Sequence, residues 1–326
     1  MDKKTTHQFK PAFGLKNRHA QTLYSSFFRK VNPIKMDIQR FELKDGDFVD
    51  CYWHNKPNQN DKVPIVTLFH GLTGSYKSPY IQGLMDTLAH NGFATVLMHF
   101  RGCSEEMNRL PRSYHSGDTN DALEWIQHLK QSFTNAPLFA VGFSLGGNML
   151  LKLLGELKDD SPFQAAISVS APMQLDICAD TMNSGFSLFY QRHLMKNLKI
   201  SLKKKYKQHD MKSLIGIDEN GVQNLVSFWE FDAIYTAPIH GFKSATDYYA
   251  KSSSKQYLNA ITTNTLVIHS LDDPFMTPEV LPKTDELSAN VRLEIYPHGG
   301  HVGFIGGTFL NPQYWLEKRI VNFFKK

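Results

Sequence analysis

Short apolar runs alternate with amphipathic stretches over most of the chain. Residues 63–69 form a nearly continuous apolar run, which is typical of a strand covered on both faces of a parallel sheet. Apolar side chains then recur at helical spacing over 81–88, behind Ser78 as a cap and Pro79 at the first helical position. Similar patterns predict strands at 94–100, 137–143, 165–170, 265–269 and 291–296, and helices at 118–131, 145–157 and from about residue 311.

The order of these elements predicts the fold class. Strands that alternate with helices form right-handed βαβ units. We therefore predict an α/β fold with a mostly parallel, twisted sheet and helices on both faces. Residues 36–53 alternate loosely around a turn-like stretch, which predicts an antiparallel hairpin ahead of the parallel strands.

Two segments interrupt this rhythm and suggest the domain organisation. Residues 1–35 show no clear periodicity and predict an irregular N-terminal arm packed on the core. Residues 173–245 are rich in aromatic side chains, methionine and lysine, with a helical pattern over 177–206. We predict that 173–245 is a helical cap inserted into the core, which comprises 36–172 and 246–326.

The lysine-rich part of the predicted cap, 192–207, has two interpretations. A solvated helix face accounts for it most simply. Alternatively, the stretch is a basic amphipathic patch that docks on anionic lipid, so peripheral membrane contact stays open. Leu194, Leu198 and Leu202, at four-residue spacing, show only that one side of the helix is buried.

Composition narrows the classes of protein. The chain has 326 residues, 41% hydrophobic residues and a net charge of +5, spread along its length, so a nucleic-acid partner is not expected. Cys51, Cys103 and Cys178 are far apart and odd in number, which predicts no disulfide framework. No apolar stretch follows the charged N-terminus and no run is long enough to span a membrane, so we expect a cytoplasmic location. The oligomeric state is not predicted.

A Gly-x-Ser-x-Gly motif at 142–146 carries the main chemical signal. An apolar strand precedes it and a helical pattern follows, as in a nucleophile elbow. The tight turn requires glycine at Gly142 and Gly146, because side chains there would collide. It presents Ser144 at a helix N-terminus, where backbone amides favour negative charge. Ser144 is therefore the predicted nucleophile.

A serine hydroxyl needs a base, and the base needs an acid to orient it. Late in the chain, the loop 297–304 contains His298 and His301, and we favour His301 because two glycines precede it. Asp272 and Asp273 follow the predicted strand 265–269. We favour Asp273, directly before a proline, while Asp272 stays an alternative. The chain order Ser, Asp, His fits this fold.

The negative oxygen formed during acyl transfer needs two hydrogen-bond donors. We predict the backbone amides of Leu145, directly after the nucleophile, and of Leu72, in the loop 70–74. His70 is interpreted as a loop residue that forms hydrogen bonds. The phosphate-loop, dinucleotide and zinc-protease motifs do not occur, so no cofactor and no metal are expected.

Several motifs together resemble one family. The chain is similar to the bacterial YheT-like α/β hydrolases, which are related to the eukaryotic ABHD-type lipid hydrolases and to yeast medium-chain ester synthases. The matching segments are 17–22, 70–74, 100–104, 114–119, 142–148, 236–238, 241–242, 247–249 and 272–275. Residues 105–107 depart from the family, which usually has glycine and fewer bulky residues there.

The resemblance implies the α/β-hydrolase fold and hydrolysis of carboxylic esters with short to medium acyl chains. The residues alone support acyl transfer through a serine ester on a small-molecule substrate. Two alternatives stay open. One is an acyltransferase or thioesterase with the same triad, and the other is a ligand-binding protein that keeps the fold without turnover.

Overall fold

The computed structural model describes residues 8–31 and 33–326. Residues 1–7 and residue 32, which belong to the predicted N-terminal arm, lie outside the described residues. The strands are β1 Asp37–Glu42, β2 Phe48–His54, β3 Ile65–Phe69, β4 Ala94–Met98, β5 Leu138–Phe143, β6 Phe163–Val169, β7 Asn264–Ser270, β8 Val291–Tyr296, β9 Ile305–Gly307 and β10 Pro312–Tyr314. The helices are α1 Arg18–Phe28, α2 Pro79–His90, α3 Asn120–Ser132, α4 Leu145–Leu157, α5 Leu175–Met182, α6 Ser187–Tyr206, α7 Met211–Ile215, α8 Phe228–Phe231, α9 Ala237–Ile239, α10 Ala245–Ser252 and α11 Trp315–Phe324.

Eight of these strands form one sheet in the order β1-β2-β4-β3-β5-β6-β7-β8. The strands from β3 to β8 pair in parallel, whereas β2 is antiparallel to both β1 and β4. The mostly parallel sheet and the hairpin at its start are therefore confirmed. The carboxyl ends of β5, β6, β7 and β8 lie side by side at one edge.

Helices cover both faces of the sheet, as predicted. On one face, Ile65 and Phe69 of β3 share a buried cluster with side chains of α3 and α4. On the other face, Val66 and Leu68 of the same strand pack with side chains of α2 and α11. Because successive side chains of a strand point to opposite faces, the continuous apolar run is needed to bury both.

The described part of the N-terminal arm contains a helix, which corrects the prediction that 1–35 is irregular. Residues 18–28 form α1, and the Asn17 side chain accepts hydrogen bonds from the first amides of that helix. Its buried face includes Gln21 and Tyr24. Sequence periodicity missed this helix because a polar side chain, fully buried and hydrogen-bonded, occupies a position where an apolar one was expected.

The last helix also begins later than predicted. Residues 312–314 form β10, which pairs with β9 in a short antiparallel ladder. Helix α11 therefore starts at Trp315 rather than near residue 311.

The segment 173–245 carries helices and, in the part of the chain that is described, no strand. Between α8 and α9 the chain makes a π-helical turn, Asp232–Thr236. The segment has a small apolar core of its own, centred on Met195, Met211 and Phe231. Throughout the described ranges, every helix is too short or too polar to cross a membrane.

Candidate active site

Ser144 lies in a strained turn between β5 and α4. Its backbone has φ 51° and ψ −120°, a region that side chains rarely occupy. The glycine requirement at the two neighbouring positions is confirmed by close approach of backbone. A Cβ on Gly142 would lie 2.4 Å from the Gly146 oxygen, and one on Gly146 would lie 2.5 Å from the His70 oxygen. The turn holds Ser144 at the carboxyl edge of the sheet.

Three side chains from this edge form a continuous hydrogen-bonded chain. The Nε2 atom of His301 is 2.9 Å from the Ser144 hydroxyl oxygen. On its other side, His301 Nδ1 is 2.8 Å from a carboxylate oxygen of Asp273. Asp273 is buried, and its second oxygen accepts a hydrogen bond from the Phe275 amide at 2.8 Å. Sequence reasoning named these three residues, and the fold brings them together.

His298 and Asp272, the alternatives for the base and the acid, form a hydrogen bond with each other instead. His298 Nδ1 lies 3.2 Å from Asp272, whose other oxygen accepts a hydrogen bond from the Gly300 amide at 2.9 Å. Both side chains are more exposed than those of His301 and Asp273. Asp272 and His298 therefore hold the loop that carries His301, without contacting Ser144 themselves.

Two further elements hold this loop, and sequence analysis missed both. From the end of β6, the Ser170 hydroxyl donates to the Gly300 carbonyl at 2.6 Å and accepts from the Val302 amide at 3.1 Å. From α1, the hydroxyl of Thr22 accepts from the His301 amide at 2.9 Å. The motif segment 17–22, which the family resemblance had singled out, thus lies directly behind the histidine loop.

The two predicted amide donors lie beside Ser144. Leu145 is the first residue of α4, where the N–H has no acceptor within the helix. Leu72 lies in the loop after β3, and a Cβ on the preceding Gly71 would lie 3.3 Å from the Ser144 Cβ. The amides on either side, of Gly71 and Thr73, donate to tyrosine hydroxyls. Among the described residues, the Leu72 amide between them has no acceptor.

His70 is a structural hydrogen-bonding residue of this loop, as predicted. Its Nδ1 lies 2.7 Å from the Gly71 carbonyl, and its Nε2 accepts from the Phe100 amide at 3.2 Å. Accepting at Nε2 requires that atom to be unprotonated, which fixes the tautomer. Complete burial lowers the pKa of His70 to about 3, so the ring is neutral and adds no charge beside Ser144.

Ser144 opens onto a cavity of about 120 Å³ between the sheet edge and residues 173–245. Most of the wall is apolar or aromatic, with Leu72 and Leu145 near the serine. Side chains from α5, α6 and the region around α8 close it: Leu175, Cys178, Met182, Leu194, Leu198, Phe228 and Phe231. Because Leu194 and Leu198 of the lysine-rich helix line this cavity, the apolar side of that helix faces inward.

The lysine-rich helix also sends one lysine inward. The Lys205 ammonium donates to the Asn108 side chain at 2.6 Å and to the Leu110 carbonyl at 2.5 Å. Burial lowers the pKa of Lys205 to about 8.

Within the described ranges, no group of three or more His, Cys, Asp or Glu side chains is arranged to hold a metal ion.

The chain is similar to known proteins over most of its length. The family model described as "alpha/beta hydrolase fold" matches residues 64–308. YheT of Escherichia coli (strain K12), whose name describes it as an esterase, is 45% identical over 313 residues, covering 96% of this chain and 92% of YheT. The mouse phospholipase ABHD3 is 28% identical over 96% of this chain and 77% of its own length. The monoacylglycerol lipase of Saccharomyces cerevisiae is 29% identical over 83% of this chain and 61% of its own.

Solved structures with the same fold are more distant in sequence. The esterase Pf2001 of Pyrococcus furiosus superimposes with a TM-score of 0.59 at 16% identity, covering 91% of this chain and 95% of that one. Est1E of Butyrivibrio proteoclasticus gives a TM-score of 0.54 at 15% identity, over 88% of this chain and 97% of its own. Together with the family match and the similarity to YheT, they show that the chain belongs to the α/β-hydrolase family, among the YheT-like esterase-type hydrolases.

Proposed function

We propose that Ser144, His301 and Asp273 form a catalytic triad that hydrolyses carboxylic esters of short- to medium-chain acids. The observation that carries the proposal is the unbroken relay from the Ser144 hydroxyl through both nitrogens of His301 to Asp273. A serine needs such a base, and the base needs such an acid. Similarity to an esterase and to two lipid hydrolases supports an ester as the substrate.

In the acylation step, Ser144 Oγ attacks the ester carbonyl carbon while His301 Nε2 accepts its proton. The carbonyl oxygen becomes an oxyanion, to which the amides of Leu72 and Leu145 donate hydrogen bonds. Asp273 stabilises the imidazolium and keeps it oriented. Collapse of the intermediate breaks the ester C–O bond, and His301 returns the proton to the departing alkoxide, which leaves as the alcohol.

In the deacylation step, a water molecule takes the place of the alcohol. His301 accepts one of its protons as its oxygen attacks the acyl-enzyme carbonyl, and the same two amides bind the second oxyanion. When the bond to Ser144 breaks, His301 returns the proton to Ser144 Oγ and the acid is released. The free enzyme is restored.

The helices of 173–245 serve as a cap that supplies the walls of the substrate cavity. Their cavity-facing side chains are mostly apolar, such as Leu175, Met182 and Phe228, which suits an acyl chain. Transfer of the acyl group to an alcohol acceptor would use the same triad and is the second candidate. Product analysis with water and ethanol as competing acceptors distinguishes hydrolysis from transfer.

The experiment that tests the triad measures hydrolysis of p-nitrophenyl esters from acetate to dodecanoate. Ser144→Ala should lower kcat by at least about 10⁴-fold, because the nucleophile acts as one unit with its base. The matched control is Ser288→Ala, which removes a part-buried hydroxyl that donates to the Ile261 carbonyl, away from the cavity. A Ser144→Ala protein as active as its parent would refute the proposal. The preferred chain length would measure the acyl pocket.

A cluster of exposed apolar side chains, here called the aromatic patch, supports contact with lipid. It consists of Phe13, Phe27, Phe28, Phe309 and Leu310, of which Phe13 is 89% and Leu310 91% exposed. The rings of Phe28 and Phe309 are 5.3 Å apart, and the Phe13 amide donates to the Gly307 carbonyl. The ring contact and the backbone bond bring three segments of the chain together at the patch.

The basic residues around the aromatic patch favour an anionic lipid surface as its partner. The segment 8–36 contains no aspartate or glutamate. It carries exposed basic side chains at Lys10, Lys16, Arg18, Lys30 and Lys35, whereas Arg29 is largely buried in an ion pair with Glu317. Exposed aromatic rings flanked by cations fit an anionic lipid surface. We place the lipid contact here rather than at 192–207, whose helix turns Leu194 and Leu198 into the cavity.

The three cysteines, all unpaired, are compatible with the proposed cytoplasmic location.

Sedimentation with lipid vesicles tests this surface. The protein should bind to vesicles that contain phosphatidylglycerol, bind less to pure phosphatidylcholine, and dissociate at high salt. Phe27→Ser with Leu310→Ser should abolish binding. Ile38→Ser with Ile295→Ser, which removes two exposed apolar side chains from the sheet edges, is the control. Equal loss in both double variants, or no binding by the parent, would refute the proposed contact.

A further inference from the structure

The cavity in front of Ser144 contains a carboxylate that the proposed reaction does not use. Asp232 lines this cavity together with Ser144. It begins the π-helical turn 232–236, a conformation that is frequent at functional sites. One carboxylate oxygen accepts from the Thr236 hydroxyl at 2.6 Å, and the other accepts from the Tyr249 hydroxyl at 2.7 Å. These two bonds hold the carboxylate in a defined position.

In the described part of the chain, the Asp232 carboxylate has these two hydroxyls as its hydrogen-bond partners, and none of the ion pairs found there includes it. Enclosure by protein raises the pKa of Asp232 to about 6, so at neutral pH it is largely ionised in mostly apolar surroundings. Such a charge is costly unless further donors reach it. Each carboxylate oxygen can accept about two hydrogen bonds, so each has capacity for one more.

Two neighbouring tyrosine hydroxyls in the cavity wall are already hydrogen-bonded to the backbone. The Tyr248 hydroxyl accepts from the Ser116 amide at 3.0 Å, and the Tyr235 hydroxyl donates to the Pro111 carbonyl at 3.0 Å. Both present their rings to the cavity wall. Asp232 is thus a polar acceptor with spare capacity among aromatic and aliphatic side chains.

We propose that Asp232 is a specificity-determining subsite that binds a hydrogen-bond donor of the substrate, a hydroxyl or a protonated amine, remote from the ester group. The proposal rests on the function proposed above, because the same cavity must hold the substrate. It also gives a role to the segments 236–238 and 247–249, whose Thr236 and Tyr249 orient the carboxylate.

Binding to a protein that cannot turn over separates this inference from the proposed reaction. Calorimetric titration of the Ser144→Ala protein uses three six-carbon-scale ligands: hexylamine, 1-hexanol and pentyl methyl ether. The amine and the alcohol should bind at least about tenfold more tightly than the ether, which has no donor. The amine and alcohol arms identify which donor Asp232 prefers. Equal affinity for all three ligands would overturn the proposal.

The decisive variant is Asp232→Asn in the same background. It should remove the preference for hexylamine and reduce that for 1-hexanol less, because the amide keeps one acceptor oxygen. Asp180→Asn is the matched control, since this exposed carboxylate bonds to Trp229 and does not line the cavity. An unchanged preference in the folded Asp232→Asn protein would show that Asp232 only ties its turn to α10.

A second measurement remains decisive if Asp232→Asn does not fold. Hexylamine affinity of the Ser144→Ala protein should fall as the pH drops below about 6, where Asp232 takes up a proton. The other titratable groups around the cavity include His115, Tyr248 and Tyr249 in its wall and His301 beside Ser144. Burial lowers the pKa of His115 to about 3 and raises the pKa of Tyr248 and of Tyr249. A second titration, with His301→Gln added to the Ser144→Ala background, removes the His301 imidazole from the comparison. Affinity that is constant across this pH range would overturn the proposal, whatever the esterase assay shows.

Discussion

The imidazole of His301 is stacked on the phenyl ring of Phe275, with 3.9 Å between ring centroids and 10° between planes. One face of the imidazole is therefore covered, while its two nitrogens face Ser144 and Asp273. Phe275 also donates its backbone amide to Asp273. A single residue thus contacts the base through its ring and the acid through its backbone.

We expect Phe275→Leu to lower kcat by about threefold to tenfold, because an aromatic pair contributes about 0.5–1.5 kcal/mol beyond its buried area. The backbone bond to Asp273 is kept, so the change reports the ring alone. Steady-state kinetics on the best p-nitrophenyl ester measures it. Phe189→Leu, at an exposed position of α6, should leave kcat unchanged. Equal kcat for both variants and the parent would contradict a positioning role for Phe275.

The two adjacent aspartates should respond in opposite ways. Asp273→Asn should lower kcat by about 10⁴-fold, because an amide no longer enforces the imidazole tautomer that accepts the serine proton. Asp272→Asn should cost less than about tenfold, since its oxygen can still accept from the Gly300 amide. Parallel kinetics of the two variants is the measurement. A larger loss in Asp272→Asn would reverse the assignment.

Sequence reasoning was most informative where a given residue type at a given spacing is compatible with few structures or functions. The elbow glycines, the strand order and the loops after β7 and β8 were sufficient to name Ser144, Asp273 and His301, which lie at hydrogen-bond distance. Their catalytic roles stay predictions. Choosing Asp273 over Asp272 depended on the neighbouring proline, and both aspartates prove to contact histidines of the same loop.

Residues that act across long sequence separations were not predicted. Thr22 and His301 are far apart in the chain, and Ser170 reaches the same loop from β6. A lone threonine or serine hydroxyl has no distinctive pattern. The family resemblance included Thr22 in a matching segment but assigned it no contact, and Ser170 lay in none of the matching segments. Asp232 was missed for a related reason, because an acidic residue in an amphipathic segment is ordinarily solvated. Only the fold shows that it faces the cavity.

Thr22 provides a test of whether α1 is part of the active site. Thr22→Val keeps the shape of the side chain but leaves the His301 amide without its acceptor, at a cost of about 1–3 kcal/mol. We expect kcat to fall about fivefold to tenfold with little change in KM, because Thr22 is not among the side chains that line the cavity. Thr22→Ser, which restores the hydroxyl, should recover most of the activity. If the valine and serine variants were equally active, the contact would have no role in positioning His301.

The raised pKa of Asp232 predicts a pH dependence of stability. Its folded-state pKa is about 6 against an ordinary value of 3.8, so between these values the folded protein keeps a proton that the unfolded chain has lost. The free energy of unfolding should therefore fall as the pH rises from about 4 to about 6, and then level off, with a total change of at most about 3 kcal/mol from this group.

Comparison with Asp232→Asn isolates that contribution, because the amide does not titrate. Denaturant unfolding of both proteins at a series of pH values should give a difference, parent minus variant, that decreases across this window and is constant on either side. Asp180→Asn is the control, and its stability should stay parallel to that of the parent throughout. A parent and an Asp232→Asn variant with parallel pH profiles would mean that the carboxylate is solvated in the folded protein. The enclosure on which its proposed role as a polar subsite depends would then be wrong.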